Sequence, residues 1–368
     1  MKITEIHIYQ HDLPIKGKPY TMARATLTKL DTTIVEIVTD TGVVGYGETC
    51  PLGPTYQPHH ALGARAALRE IAPHLLGQNP LVINALGHLM DEVLAGHAYA
   101  KAAIDIALWD IAGKTYGMRV CDLLGGALRE RVPSYYAIGI ETPAEAARIA
   151  QEKQAEGYPR LQLKVGGRHI EEDIAAIRQV SEVLNAGIRF AADANCGWTA
   201  RDAMLVSQAC RDVPFVIEQP CATYAETASL RGRVCHPIYL DEVTEDLNTI
   251  VRAIGDRSAD GFGLKVTRMG GLSAMRTIRD LCHRHNLPHT CDDAWGGDIL
   301  AAACLHIGAT VAPRLCEGVW IAAPYIEGHY DPENGIETKN GWLDLPQRDG
   351  LGVHPDVSCW GSPVYSVG

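Results

Sequence analysis

The chain has 368 residues, 46% hydrophobic and 21% charged, with a formal net charge of −11. That balance supplies a sizeable core in one large domain or two ordinary ones and excludes general disorder. The acidic surplus argues against nucleic acid as a partner, because no excess of Lys and Arg is present to displace counterions.

Residues 1–49 read as strands: MKITEIHIYQ alternates, then TTIVEIVTD, a turn at Thr41-Gly42, and VVGYGET. The opening alternates and carries charge, unlike the apolar core of a secretion signal. Two polar or Gly/Pro-rich stretches, Pro14–Asp31 and Cys50–His60, read as functional loops. From Ala61 to Gly126 the pattern is helical. In Ala100–Lys114 the apolar stripe is Ile104, Ala107, Leu108 and Ile111, with Asp105 and Asp110 off it. From Arg131 onward, short apolar runs alternate with helical ones at a period of roughly 25 residues, the signature of parallel βα units. Seven units and a last strand near Pro313–Gly318 predict a closed barrel, with an open doubly wound sheet as the alternative. The expected fold is α/β: a (β/α) TIM-like barrel over 129–320 with an N-terminal α+β capping domain over 1–128, which carries active-site loops. The tail, 321–368, is expected to pack back on the capping domain and complete it. Eleven cysteines with no CxxC pair read as reduced thiols of a cytoplasmic protein. No apolar run is long enough for a membrane partner.

Six successive apolar runs end in a charge: Lys164, Asp193, Glu218, Asp241, Lys265 and Asp292, at separations of 29, 25, 23, 24 and 27. In a barrel these ends converge on one mouth. Each acid alone reads as a cap for the helix that follows. Asp193, Glu218 and Asp241 from three adjacent strands would repel one another without a cation, and oxygen-only ligands select Mg²⁺ over Zn²⁺. Asn195 and Glu242 are auxiliary candidates behind them. Lys164 and Lys265 fall nearly across the barrel from each other. They are either salt-bridge partners of the acids or bases, since a lysine near Mg²⁺ and a second lysine has its ammonium form disfavoured. Two bases flanking a metal-bound carboxylate can take an α-proton from one face and return one to the other, with the metal as Lewis acid.

The runs LQLK, AADAN, IEQP, YLDE and LKVTRMGG, with the helix AKAAIDIALWDIAGK, resemble the enolase superfamily in its muconate-lactonizing and mandelate-racemase-like branch. The lysine-and-magnesium chemistry is that superfamily's general one. Its first lysine motif is usually K-x-K, whereas this chain has Gln162-Leu163-Lys164. On a strand Gln162 shares a face with Lys164 and offers an amide to a substrate carboxylate. GETCPLGPTY, CDDAWGGD and PRLCEGVW are similar to hydroxyproline-betaine epimerases. That resemblance implies that Tyr56, Gln162, Asp292, Trp295 and Trp320 line the substrate. Aromatic faces suit a quaternary ammonium, which has no N–H to donate, with Asp292 as counter-charge; the alternative for Trp295 and Trp320 is packing at the barrel rim. The expected partner is a small α-amino acid with a free carboxylate and a cationic nitrogen, such as proline betaine or 4-hydroxyproline betaine. The reaction is racemisation or epimerisation, or alternatively β-elimination from cis-3-hydroxy-L-proline, and more distantly a non-catalytic binding barrel. The N-terminal loops are expected to bring Tyr20 and Tyr56 to the mouth, and the enzyme to be a homo-oligomer. His283 and His285, in a stretch that mimics a zinc site, read as helix-end residues.

Overall fold

A computed structural model describes every residue from 1 to 368 except Arg24, Pro54 and Ala294. The alternating N-terminal runs form an antiparallel sheet in which Ile3–Pro14 pairs with Lys29–Thr39, and Lys29–Thr39 with Val44–Thr49. Alternate side chains of these strands, Ile6, Ile8, Val35 and Ile37 among them, are fully buried beneath helices Ala61–Leu75, Ile83–Val93 and Ala98–Tyr116. Val44–Thr49 presses directly on the last of these: a Cβ at Gly47 would lie 1.8 Å from the Ala103 carbonyl oxygen. The expected loop at Pro14–Asp31 contains a small hairpin, Tyr20–Met22 paired with Ala25–Leu27.

Helix Ala98–Tyr116 departs from the amphipathic expectation. It lies between the sheet and the barrel, so nearly every side chain is buried, Asp105 and Asp110 included. Burial obliges both carboxylates to find donors. Asp105 accepts the Ser273 amide at 3.1 Å, and Asp110 accepts the amides of Tyr46 at 3.0 Å and Leu351 at 2.9 Å.

Eight parallel strands follow in chain order: Tyr136–Ile138, Arg160–Lys164, Arg189–Asp193, Val216–Glu218, Ile238–Leu240, Gly261–Phe262, His289–Thr290 and Cys316–Gly318. The sheet closes on itself. Ser134 bridges Val319, and the Val319 amide donates to the Pro133 carbonyl at 2.9 Å. The fold is therefore the barrel and not the open sheet. The tail meets the capping domain at several points, with Ile326 bridging Ile15 and Gly350 bridging Arg119, and part of it also pairs beside the barrel. Thr338–Lys339 pairs with Trp342–Asp344, which in turn pairs with Arg131–Pro133 beside the first barrel strand, while Tyr365–Val367 joins the edge of the N-terminal sheet. Among the described residues no helix is long and apolar enough to cross a membrane.

Candidate active site

Asp193 and Glu218 are the last residues of their strands, and Asp241 follows the next strand directly. One carboxylate oxygen from each lies within 4.8 Å of the others, and all three residues are buried. Lys164 ends the second barrel strand and Lys265 follows the sixth, half a turn of the eight-stranded ring away. Both line one cavity. Lys265 and Asp292 are not strand ends as expected. Each lies two or three residues beyond its strand, where the Val266 amide donates to the Asp292 carbonyl at 2.8 Å and the Asp292 amide to the Leu264 carbonyl at 2.9 Å.

The charges interlock. Lys164 pairs closely with Asp193, and Lys265 Nζ lies 3.2 Å from Asp241 and 3.7 Å from Asp292. Burial favours the neutral amines, but the adjoining carboxylates outweigh it and hold both lysines above their ordinary pKa. Each lysine is thus ion-paired with a member of the acid cluster, Lys164 with Asp193 and Lys265 with Asp241. Burial, then the Asp193 charge, pushes Glu218 up to about 7. Burial and the Asp241 charge push Glu242 up to about 8. Asp241 goes the other way: burial raises it, but Lys265 and Arg268 hold it below the usual carboxylate range.

Asn195 does not continue the strand. It turns left-handed at φ 43, and its side-chain amide donates back to Asp193 at 2.9 Å and across to Glu242 at 2.8 Å. Glu218 Oε1 and Glu242 Oε2 are buried without a hydrogen-bond partner. A Cβ at Gly263 would stand 3.0 Å from Glu218 Oε1 and 3.2 Å from Asp241. Buried orphan oxygens over a glycine floor, in an all-oxygen donor set, fit a hard divalent cation.

The cavity has a volume of about 370 Å³, part of it open to solvent. Tyr20 and Met22 reach it from the hairpin, and Leu52 and Tyr56 from the second N-terminal loop. Trp295 and Trp320 meet edge to face at 5.0 Å, with Tyr20 5.4 Å from Trp295. Tyr56, Gln162, Trp295 and Trp320 all line this space, with Tyr135 and Asp293, which sequence reasoning did not include. The Gln162 amide donates to Glu218 at 2.9 Å, so it orients a member of the acid cluster as well as facing the cavity. Asp292 does not line the cavity. Wholly buried, it accepts the Trp320 amide at 2.7 Å and the Tyr135 hydroxyl at 2.8 Å and lies 3.7 Å from Lys265. Two buried arginines that pair with the acids were also missed. Arg160 lies 3.3 Å from Glu218, and Arg268 donates to Asp241 at 2.7 Å. Arg160 was legible: it shares strand parity with Gln162 and Lys164.

An oxygen-ligand cluster between two lysines at the mouth of a closed barrel defines an acid–base enzyme of the α/β-barrel class. Residues 3–125 match the mandelate racemase/muconate lactonizing enzyme N-terminal domain, and residues 145–358 the enolase C-terminal domain-like family. The chain belongs to the enolase superfamily, in its mandelate racemase/muconate lactonizing branch. It is 42% identical over 366 residues, 99% of each chain, to the cis-3-hydroxy-L-proline dehydratase of Roseibium aggregatum. It is 31% identical over 289 residues, 77% of this chain and 79% of the other, to the hydrophobic dipeptide epimerase of Enterococcus faecalis. A solved enolase-superfamily structure from Roseovarius nubinhibens, complexed with magnesium, is similar at a TM-score of 0.94 and 35% identity, covering 100% of this chain and 99% of that one.

Proposed function

We propose that this enzyme removes the α-proton of a small proline-type amino acid and that its first reaction is the dehydration of cis-3-hydroxy-L-proline. The observation that carries the reading is the placement of Lys164 and Lys265 half a barrel turn apart on one cavity. In a cis-3-hydroxy acid the hydroxyl shares a ring face with the carboxylate, so the α-hydrogen lies on the opposite face. One lysine, as the amine, takes that proton. The electron pair becomes the Cα–C3 double bond as the C3–O bond breaks, and the other lysine's ammonium protonates the departing hydroxyl, which leaves as water. Asp193, Glu218 and Asp241 would hold Mg²⁺, which supplies positive charge opposite the substrate carboxylate as α-carbon charge develops. The enamine so formed tautomerises to the cyclic imine. The full-length similarity to a dehydratase of this substrate supports this outcome.

The second reading is inversion of proline betaine or 4-hydroxyproline betaine. The same lysine takes the proton and the other returns one to the opposite face. The wall of Tyr20, Tyr56, Trp295 and Trp320 favours it, since aromatic faces hold a quaternary nitrogen that cannot donate a hydrogen bond. Incubation of the Mg²⁺-loaded protein with each compound separates the two. Imine and water from cis-3-hydroxy-L-proline, with optically stable betaines, support dehydration. Loss of rotation for proline betaine, or appearance of the 2-epimer of 4-hydroxyproline betaine, without imine formation replaces it with inversion at the α-carbon.

A further inference from the structure

Glu48 belongs to the N-terminal sheet, yet its carboxylate ends at the head of a barrel helix. Helix Asp298–Ala309 begins without a side-chain cap of its own. Its first residue, Asp298, instead accepts amides from Tyr330 at 2.6 Å and Ile336 at 2.9 Å. Orphan N–H groups at a helix start need acceptors, and a carboxylate there also opposes the helix dipole. Glu48 supplies both from more than two hundred residues away in the chain. Oε1 accepts the Gly297 amide at 2.8 Å, the Tyr330 hydroxyl at 2.9 Å and the Thr32 hydroxyl at 2.8 Å, while Oε2 accepts the Leu300 amide at 3.1 Å. The residue is fully buried.

The clamped segment is the one that builds the cavity wall. Asp293 and Trp295 face the cavity, and the two residues after Trp295 are Gly296, at φ 145, and Gly297. Paired glycines leave the backbone free to swing unless something else fixes it. We propose that Glu48 is a positioning residue: it caps helix Asp298–Ala309 from the neighbouring domain and so fixes the Gly296-Gly297 hinge and the Trp295 ring against Trp320. Among the described residues Glu48 hydrogen-bonds Thr32, Gly297, Leu300 and Tyr330 and makes no hydrogen bond to Lys164, Lys265, Asp193 or Glu218, so its loss is expected to disturb substrate seating more than the chemical step. The steady-state part of this inference rests on the function proposed above; the exchange part does not.

The test is Glu48→Gln, which keeps the shape and removes the charge. Two measurements are made on the Mg²⁺-loaded protein. Hydrogen exchange is expected to speed at the Gly297 and Leu300 amides by tenfold or more, whatever the substrate. With the substrate that the wild type turns over, KM is expected to rise about tenfold while kcat stays within about twofold. Faster exchange with KM unchanged overturns the positioning role and leaves a structural cap. Unchanged exchange overturns the cap itself. Equal loss of kcat and kcat/KM at unchanged KM also overturns the proposal, because it places Glu48 in the chemical step. If Glu48→Gln does not fold, Tyr330→Phe removes one donor to the same oxygen, and a smaller rise in KM at constant kcat is the required result. A wild type inactive on both proline substrates refutes the function proposed above, while the exchange result still decides the cap.

Discussion

Lys265 lies 3.2 Å from one oxygen of Asp241, while Arg268 donates to the other at 2.7 Å. Both oxygens of one member of the acid cluster are thus engaged by cations, and Asp193 is paired with Lys164. A divalent ion entering this cluster competes with the ammonium groups and with any proton on Glu218. Displacing a lysine from its counter-ion lowers its pKa, which is what a base requires.

Mg²⁺ affinity should therefore depend on pH. Glu218, held near 7, carries a proton below that value, and binding must expel it. Isothermal titration should show affinity rising about tenfold from pH 6 to pH 8 and levelling above it, with proton release measurable from buffer ionisation heats. Affinity that falls as pH rises would contradict the arrangement.

Gly263→Ala places a methyl 3.0 Å from Glu218 Oε1. Because the neighbouring atoms are ligand oxygens, the expected outcome is a loss of Mg²⁺ affinity of about 10–100-fold, with the circular dichroism of the barrel retained. Titration of the variant against the wild type checks this.

Much of this cluster was legible in the sequence, because parallel strands deliver one charged end per βα repeat to a common mouth, and Asp193, Glu218 and Asp241 come from adjacent strands. The missing parts depend on contacts that no period encodes. Arg268 meets Asp241 from a short helix 27 positions on, Glu48 meets Gly297 across 249 positions, and Asp292 is engaged by Tyr135 from 157 positions away. Helix Ala98–Tyr116 misled for a related reason: its polar face is covered by a second layer, and layer count is not visible in one helix. The pairing of Trp342–Asp344 with Arg131–Pro133 likewise joins segments far apart in the chain.

Metal-free protein should lose stability as pH rises. Glu218 and Glu242 have folded values of about 7 and about 8 against an ordinary 4.5. The folded state therefore holds more protons than the unfolded one between those limits, and its advantage is complete below 4.5 and lost by pH 8. Melting temperature should fall from pH 6.5 to pH 8.5. The slope should flatten in Glu218→Gln and on adding Mg²⁺. An equal slope in wild type and variant would show that Glu218 is not the group responsible.

Trp320→Leu keeps bulk at the wall and removes the aromatic face. A cation–π contribution of about 0.5–2 kcal/mol corresponds to a rise in KM of about 2–30-fold for a quaternary nitrogen substrate. A secondary amine that also donates hydrogen bonds should change less. Equal effects on both would show that the ring only packs against Trp295 and Tyr325, 5.0 and 5.3 Å away.

The central claim is that Lys164 and Lys265 exchange an α-proton from opposite faces of a proline-type carboxylate. The most direct measurement is proton NMR of the Mg²⁺-loaded protein in D₂O with L- and D-proline betaine and with cis-3-hydroxy-L-proline. It is run on wild type, Lys164→Ala and Lys265→Ala. The account predicts that wild type replaces the α-hydrogen with deuterium or expels water. Each single variant should lose net turnover by about 10³-fold or more, and at least one should retain exchange for a substrate whose α-hydrogen faces the remaining lysine. No exchange or elimination with any of these compounds by a wild type that binds Mg²⁺, or wild-type rates in both lysine variants, would contradict it.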